Sequence, residues 1–193
     1  MEKNEVIILE DRGFIQVKGP EAKDFLQNIV TNNLEKVTNN STIFSSILTP
    51  QGKYLYDFFI LKLKNGYLLE CEKESTLEII KLFQFYKLRS KVDLINVSKQ
   101  FKCLAISSDK FKKISKTETC KGYTINYEDE PIYVDPRNEK LGAKLIVAAK
   151  NASSKINKLG LKVSQKEKYY TKSFELGIPQ VHLNKLKEKI FGM

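Results

Sequence analysis

Histidine, cysteine and arginine are scarce in this 193-residue chain. His182 is the one histidine, so a Ser-His-Asp or Cys-His relay would have to rest on a residue near the chain end. An ordinary loop histidine in Gln180-Val181-His182-Leu183-Asn184 is the simpler reading. Cys71, Cys103 and Cys120 are odd in number and widely spaced, which fits neither a disulfide framework nor a zinc site. Cys71 and Cys103 fall in apolar, strand-like runs and read as buried thiols. No apolar run approaches the roughly 20 residues that span a bilayer, so no membrane partner is expected. Met1-Glu2-Lys3-Asn4-Glu5 does not open like a signal peptide, and a cytoplasmic protein is expected. Walker loops, Gly-x-Gly-x-x-Gly and His-Glu-x-x-His are all missing, which removes the common phosphate, dinucleotide and zinc-protease machines.

The net charge of +10 comes almost wholly from dispersed lysines, because Arg12, Arg89 and Arg137 are the only arginines. Nucleic-acid sites favour the planar guanidinium fork beside aromatic platforms, so charge alone supports only weak nucleic-acid contact. A basic RNA-binding module stays open on that ground.

Hydrophobic periodicity divides the chain into two similar α+β units, residues 1–98 and 99–193, the second with a C-terminal helical segment. Antiparallel strands with helices on one face are expected in each. Asn65-Gly66 signals a tight hairpin turn, and Ser75 is placed to cap a helix that is apolar over most of its circumference. Glu128-Asp129-Glu130 reads as an acidic hairpin tip rather than a cation site.

Leu48-Thr49-Pro50-Gln51-Gly52 is a turn that feeds the strand Tyr54-Leu55-Tyr56-Asp57-Phe58-Phe59-Ile60. Alternation predicts Leu55, Asp57, Phe59 and Leu61 on one face and Tyr54, Tyr56, Phe58 and Ile60 on the other. Asp57 therefore stands among apolar neighbours, where a carboxylate needs a donor, a cation or a ligand. Two readings stay open at this level: an aspartate bonded to a neighbouring loop, or one aimed at a bound heterocycle or reacting amine.

Several motifs recur in a fixed order. They are Leu9-Glu10-Asp11-Arg12-Gly13-Phe14-Ile15-Gln16-Val17-Lys18-Gly19, then Phe25-Leu26-Gln27-Asn28-Ile29-Val30-Thr31-Asn32, and then the Pro-Gln-Gly turn with its strand. Tyr86-Lys87-Leu88-Arg89, Asp135-Pro136-Arg137-Asn138-Glu139-Lys140-Leu141-Gly142 and Leu176-Gly177-Ile178-Pro179 follow. Together they resemble the YgfZ-type folate-binding proteins, relatives of the glycine-cleavage T-protein, an aminomethyltransferase. The resemblance implies two ferredoxin-like subdomains of the aminomethyltransferase folate-binding type. It implies tetrahydrofolate, or a related reduced folate, as cofactor, with Asp57, Tyr54 and Phe58 as binding residues. It further implies a part in iron-sulfur cluster assembly or repair and in linked tRNA modification, with iron-sulfur proteins or assembly factors as partners and no turnover of its own.

The alternative is an aminomethyltransferase with Asp57 at the folate nitrogen, although Tyr56-Asp57 replaces that enzyme's Asp-Asp pair. The YgfZ-type signature Lys-Gly-Cys-x-x-Gly-Gln-Glu is absent before Phe191-Gly192-Met193, Gln180 replaces a glutamate, and Ser173 stands where arginine is frequent. A fragment, a naturally short member or a degenerate one would each produce that pattern.

Overall fold

Strand and helix positions follow the periodicity closely along most of the chain. The computed structural model describes residues 2–178, so Pro179, Gln180, His182 and the final Phe191-Gly192-Met193 lie outside the described residues. In chain order the first elements are β1 (Glu5–Leu9), β2 (Arg12–Lys18), α1 (Ala22–Gln27), β3 (Ile43–Leu48), β4 (Tyr54–Leu63), β5 (Gly66–Glu72), α2 (Thr76–Lys87) and β6 (Asp93–Asn96). They are followed by β7 (Phe101–Ile106), α3 (Ser108–Ser115), β8 (Thr124–Tyr127), β9 (Glu130–Val134), β10 (Ala143–Ala148), α4 (Ala152–Lys158), β11 (Lys162–Ser164) and α5 (Glu167–Glu175).

One unit holds Asp11–Thr38 and Thr42–Ser98 and is built on a five-stranded antiparallel sheet, β3-β4-β5-β2-β6. Without β3, that order is the one a ferredoxin-like β-α-β-β-α-β unit adopts. Alternate residues of its strands (Ile15, Val17, Phe58, Ile60, Leu69) meet Phe25 and Leu26 of α1 and Ile79 and Phe83 of α2 in one buried cluster. Phe83 receives the edges of two rings, Phe25 at 5.6 Å and Phe58 at 6.2 Å. The helix α2 is less fully covered than its composition suggests, for Leu77 and Phe85 are 63% and 75% exposed. Ser75 does occupy the N-cap position but makes no side-chain cap bond.

Two glycines are required by the backbone. Gly52 takes φ +77 in the turn before β4, where its N–H reaches the Thr49 carbonyl at 2.9 Å. Gly66 has φ +125, and a Cβ there would lie 2.1 Å from the Val17 carbonyl oxygen. In both places only glycine avoids strain.

Of the described residues, the other unit holds those up to Glu10, a short return at Asn39–Ser41 and the stretch from Lys99 to Ile178. Its six strands run β11-β1-β7-β10-β9-β8. The element order from β7 to β11 repeats that from β2 to β6, strand-helix-strand-strand-strand-helix-strand. The difference lies in β1, inserted antiparallel to β7 and parallel to β11. The expected boundary at residue 98 thus needs correction at the N-terminus: β1 belongs to the sheet of the later half. An apolar strand can satisfy its backbone in any sheet that offers an open edge, and nothing in Glu5 to Leu9 itself names the partner.

In this unit Leu104, Ile106, Leu145 and Val147 pack with Phe111 of α3 and Ile156 of α4. Glu128 and Asp129, both at positive φ, make the turn between β8 and β9. The acidic tip is held by α4: Lys155 Nζ lies 2.9 Å from both Glu128 Oε2 and Glu130 Oε2, and Lys158 pairs with Glu128.

The carboxylate of Glu5 in β1 accepts from the Glu2 N–H, from Lys168 Nζ of α5 and from Ser164 Oγ of β11. The Glu2 N–H and Lys168, in that order, hold its pKa down from 4.5 to about 2. A carboxyl whose folded pKa is depressed contributes stability above its unfolded pKa and loses it as pH falls through the folded one. The melting temperature should therefore drop between pH 4.5 and 2, and Glu5→Gln should flatten that limb. Melting curves of the two proteins across that range check it; superimposable acid limbs would refute the assignment.

The thiols of Cys71 and Cys103 are buried and that of Cys120 is exposed. Burial pushes the Cys71 thiol up to about 12, and its Sγ donates to the Gly13 carbonyl at 3.8 Å. It is an unreactive packing group.

Candidate functional site

The ten-residue β4 is flanked by β3 and β5, and its pairing with β3 carries an irregularity. Ile47 pairs with Tyr56 and Leu48 with Tyr54, which leaves Leu55 as an extra residue, a β-bulge. In a regular strand residues three apart point to opposite faces. The bulge cancels that half-period and brings Tyr54 to the face of Asp57, where its Oη donates to Asp57 Oδ2 at 3.0 Å. The expected separation of these two side chains is thereby corrected.

Tyr54 is 3% exposed, whereas Asp57 is half-buried. Burial above all, and then the charge of Asp57, raise the Tyr54 pKa far above the usual phenol value, against a lowering by Arg12. The phenol is thus a permanent donor. The second oxygen of Asp57, Oδ1, takes no hydrogen bond among the described residues. A half-buried carboxylate with one oxygen engaged and the other open can accept a further N–H or face a cation.

Phe58, expected to pack against a ligand, belongs elsewhere. It is fully buried in the helix-side cluster with its ring edge-on to Phe83, because past the bulge strict alternation sends residue 58 to the face away from Asp57. Tyr56 also points to the helices, donating to Glu78 Oε2 at 2.7 Å. The contrast between Tyr56-Asp57 and an Asp-Asp pair thus concerns the helix side of the sheet, not the surroundings of Asp57.

The face that carries Asp57 holds a second polar pair that was not anticipated. Glu70 of β5 lies opposite Phe59, is 0% exposed, and accepts from Arg12 Nε at 2.8 Å. The Arg12 guanidinium stands 5.8 Å from the centre of the Phe59 ring, and the Phe44 ring packs on Phe59 with 5.2 Å between ring centres. Leu68-Leu69-Glu70-Cys71 carried the same signal as Asp57, a lone carboxylate in an apolar strand. Among the described residues no group of three His, Cys, Asp or Glu is placed to hold a metal, and no helix is long and apolar enough to cross a membrane.

Comparison with known proteins agrees with this architecture. An aminomethyltransferase T of the glycine cleavage system from Bartonella henselae superposes with a TM-score of 0.67 at 14% identity, covering 83% of this chain and 47% of that one. The likeness is one of fold. An iron-sulfur cluster assembly factor IBA57 homolog, mitochondrial, from Neurospora crassa is 27% identical over 179 residues, 89% of this chain and 40% of the relative. The Dictyostelium discoideum protein of that name is 24% identical over 91% of this chain and 49% of its own length. An aminomethyltransferase of Caldanaerobacter subterraneus is 31% identical over 105 residues, 53% of this chain and 28% of that protein. The chain spans less than half the length of these curated relatives. The family described as the GCVT N-terminal domain matches residues 4–119, more than half of the chain. On that match, and with an α+β fold of antiparallel sheets like that of the aminomethyltransferases, the chain belongs to the GCVT N-terminal domain family.

Proposed function

We propose that this protein is a folate-binding member of the YgfZ-type branch of that family, acting in iron-sulfur cluster assembly or repair and in the tRNA modification linked to it. The observation that carries this reading is one of coverage. Two relatives named iron-sulfur cluster assembly factor align over 89% and 91% of this chain, and the aminomethyltransferase over 53%. The site chemistry supports a reduced folate as ligand: Asp57 offers an acceptor oxygen to a ring N–H, and Tyr54 holds the carboxylate that offers it. Reduced folate supplies a nitrogen that carries one-carbon units, while this chain binds and orients it.

Calorimetric titration of the full chain with tetrahydrofolate tests the reading. Saturable binding and a raised melting temperature are expected. Asp57→Asn should weaken binding by about 1.5–3 kcal/mol, the range of a hydrogen bond to a charged group. Absence of both heat and thermal stabilisation at high micromolar ligand would reject the folate reading.

An aminomethyltransferase is the second reading, favoured by the 31% identity to the Caldanaerobacter enzyme. It requires methylene transfer from an aminomethyl-lipoyl carrier to tetrahydrofolate. No transfer is expected with an intact carrier supplied, and measurable turnover would reverse the order of the two readings.

A further inference from the structure

The five-stranded sheet ends at β6, whose outer side no strand covers among the described residues. The Val97 N–H reaches the Phe14 carbonyl at 3.0 Å, so residues 14 and 97 form a bonded pair continuing the antiparallel ladder of β2 and β6. Bonded and non-bonded pairs alternate along such a ladder. Asp93 and Ile95 therefore turn their backbone groups toward β2, and Leu94 and Asn96 turn theirs outward. Those outward N–H and C=O groups meet no partner among the described residues. Beside them a cleft of about 320 Å3 lies between β6 and α2, lined by Gln84, Lys87, Asp93, Leu94 and Ile95. We propose that this groove binds an extended segment of a partner protein as a further antiparallel strand. The segment carries an apolar residue opposite Leu94 and carboxylates two positions to either side.

An open strand edge is completed by another extended backbone, and the pockets beside it decide which side chains that backbone carries. Leu94 stands opposite Val17, which is buried against the helices, so an added residue facing Leu94 points into the cleft. Lys87 lines that cleft, Arg89 and Lys91 follow it, and none of the three forms an ion pair among the described residues. Carboxylates are their complement. A second copy of this chain would instead bring another +10 of charge against them. At the same end of α2, Phe85 and Leu88 are 75% and 88% exposed, and Leu88 is held at φ +47, which a non-glycine residue rarely adopts. Strain without burial marks a surface shaped for contact. The Tyr86-Lys87-Leu88-Arg89 motif, which has no part in the site around Asp57, thereby gains a role. The fold also accepts such an addition: in the other unit, β1 continues the sheet past β7, the strand that repeats β2.

The test uses the full chain and a fluorescein-labelled peptide, Thr-Glu-Thr-Leu-Thr-Glu-Thr, titrated by fluorescence anisotropy. Saturable binding in the micromolar range is expected. Bonded to Leu94, the peptide leucine turns its own N–H toward β6, and the neighbouring threonines turn theirs to solvent. N-methylation of the leucine should therefore weaken binding by at least about 10-fold, and N-methylation of the next threonine by less than about 3-fold. Lys87→Glu should weaken it by about 5- to 10-fold, whereas Lys150→Glu, an equal change of charge in the other unit, should leave it within about twofold. With saturating peptide, amide exchange of Leu94 and Asn96 should slow by at least about 10-fold. Equal effects of the two methylations, or unchanged exchange at Leu94 and Asn96, overturn strand addition at this edge. Absence of saturable binding up to about 1 mM peptide overturns the proposal as a whole. Dimers in sedimentation that the peptide dissociates would make a second copy the occupant and overturn the partner proposed.

Discussion

Phe58→Ala is expected to destabilise the five-stranded unit by about 3–5 kcal/mol, the cost of truncating a buried phenylalanine whose cavity cannot collapse. Phe58 is 0% exposed, and its ring lies edge-on to Phe83, which itself receives Phe25. Removal takes away one member of an edge-to-face cluster of three rings as well as the buried area. The chain lacks tryptophan, so urea unfolding is best followed by far-ultraviolet circular dichroism, with amide exchange in β4 and β5 assigning the transition to this unit. A cost below about 1 kcal/mol would mean that the ring is not buried as described. The companion variant Phe58→Leu keeps most of the volume. Because the ring faces the helices, tetrahydrofolate affinity should survive it within about twofold, where loss of a direct ligand contact would cost roughly tenfold. The two readouts together decide whether Phe58 serves the core or the ligand.

Glu70→Ala has an effect of the same size for a different reason. The Glu70 and Arg12 side chains are 0% and 8% exposed, joined at 2.8 Å, with Arg12 Nη2 also reaching the Glu70 carbonyl at 3.4 Å. A charge taken out of water tolerates burial only while its partner stays, so deleting one member of such a pair costs about 3–5 kcal/mol. Replacing both members by apolar residues of similar volume is far less costly, and Arg12→Met/Glu70→Leu should recover most of the loss. Urea unfolding of these two variants beside the unaltered protein checks this. Equal losses for Glu70→Ala and for the double replacement would show that the ion pair itself, and not the stranding of one buried charge, carries the stability. The double variant also tells whether the polar pair is needed next to Asp57: if it only supports the sheet face, folate affinity of that variant should follow its folding and nothing more.

Much of the architecture was legible because it is local. Asn65-Gly66 and Pro50-Gln51-Gly52 name their turns, since their positive φ values are affordable only to glycine. The strand β4 announces itself by its aromatic and branched residues, and α2 by the spacing of Ile79, Ile80 and Phe83. The repeated element order followed from such segments taken in turn. Three residues of β11 were not legible: Lys162 and Val163 are exposed, and so short a strand carries no burial pattern. Its existence depends on β1 alongside.

Within the candidate site the division falls at a single residue. From its own composition the chain determined that a carboxylate, Asp57, would sit in an apolar strand beside tyrosine and phenylalanine, and the ordered motifs pointed to a folate-binding family. Which of those rings would meet the carboxylate was settled by pairing with β3. One unpaired residue, Leu55, reverses the faces on its N-terminal side, so Tyr54 reaches Asp57 while Phe58 turns to the helices. A bulge is a mismatch between two strands, a property of their register that neither strand carries alone. For the same reason β1 could be read as a strand from five residues, but its place between β7 and β11 came only from edges formed more than ninety residues later in the chain.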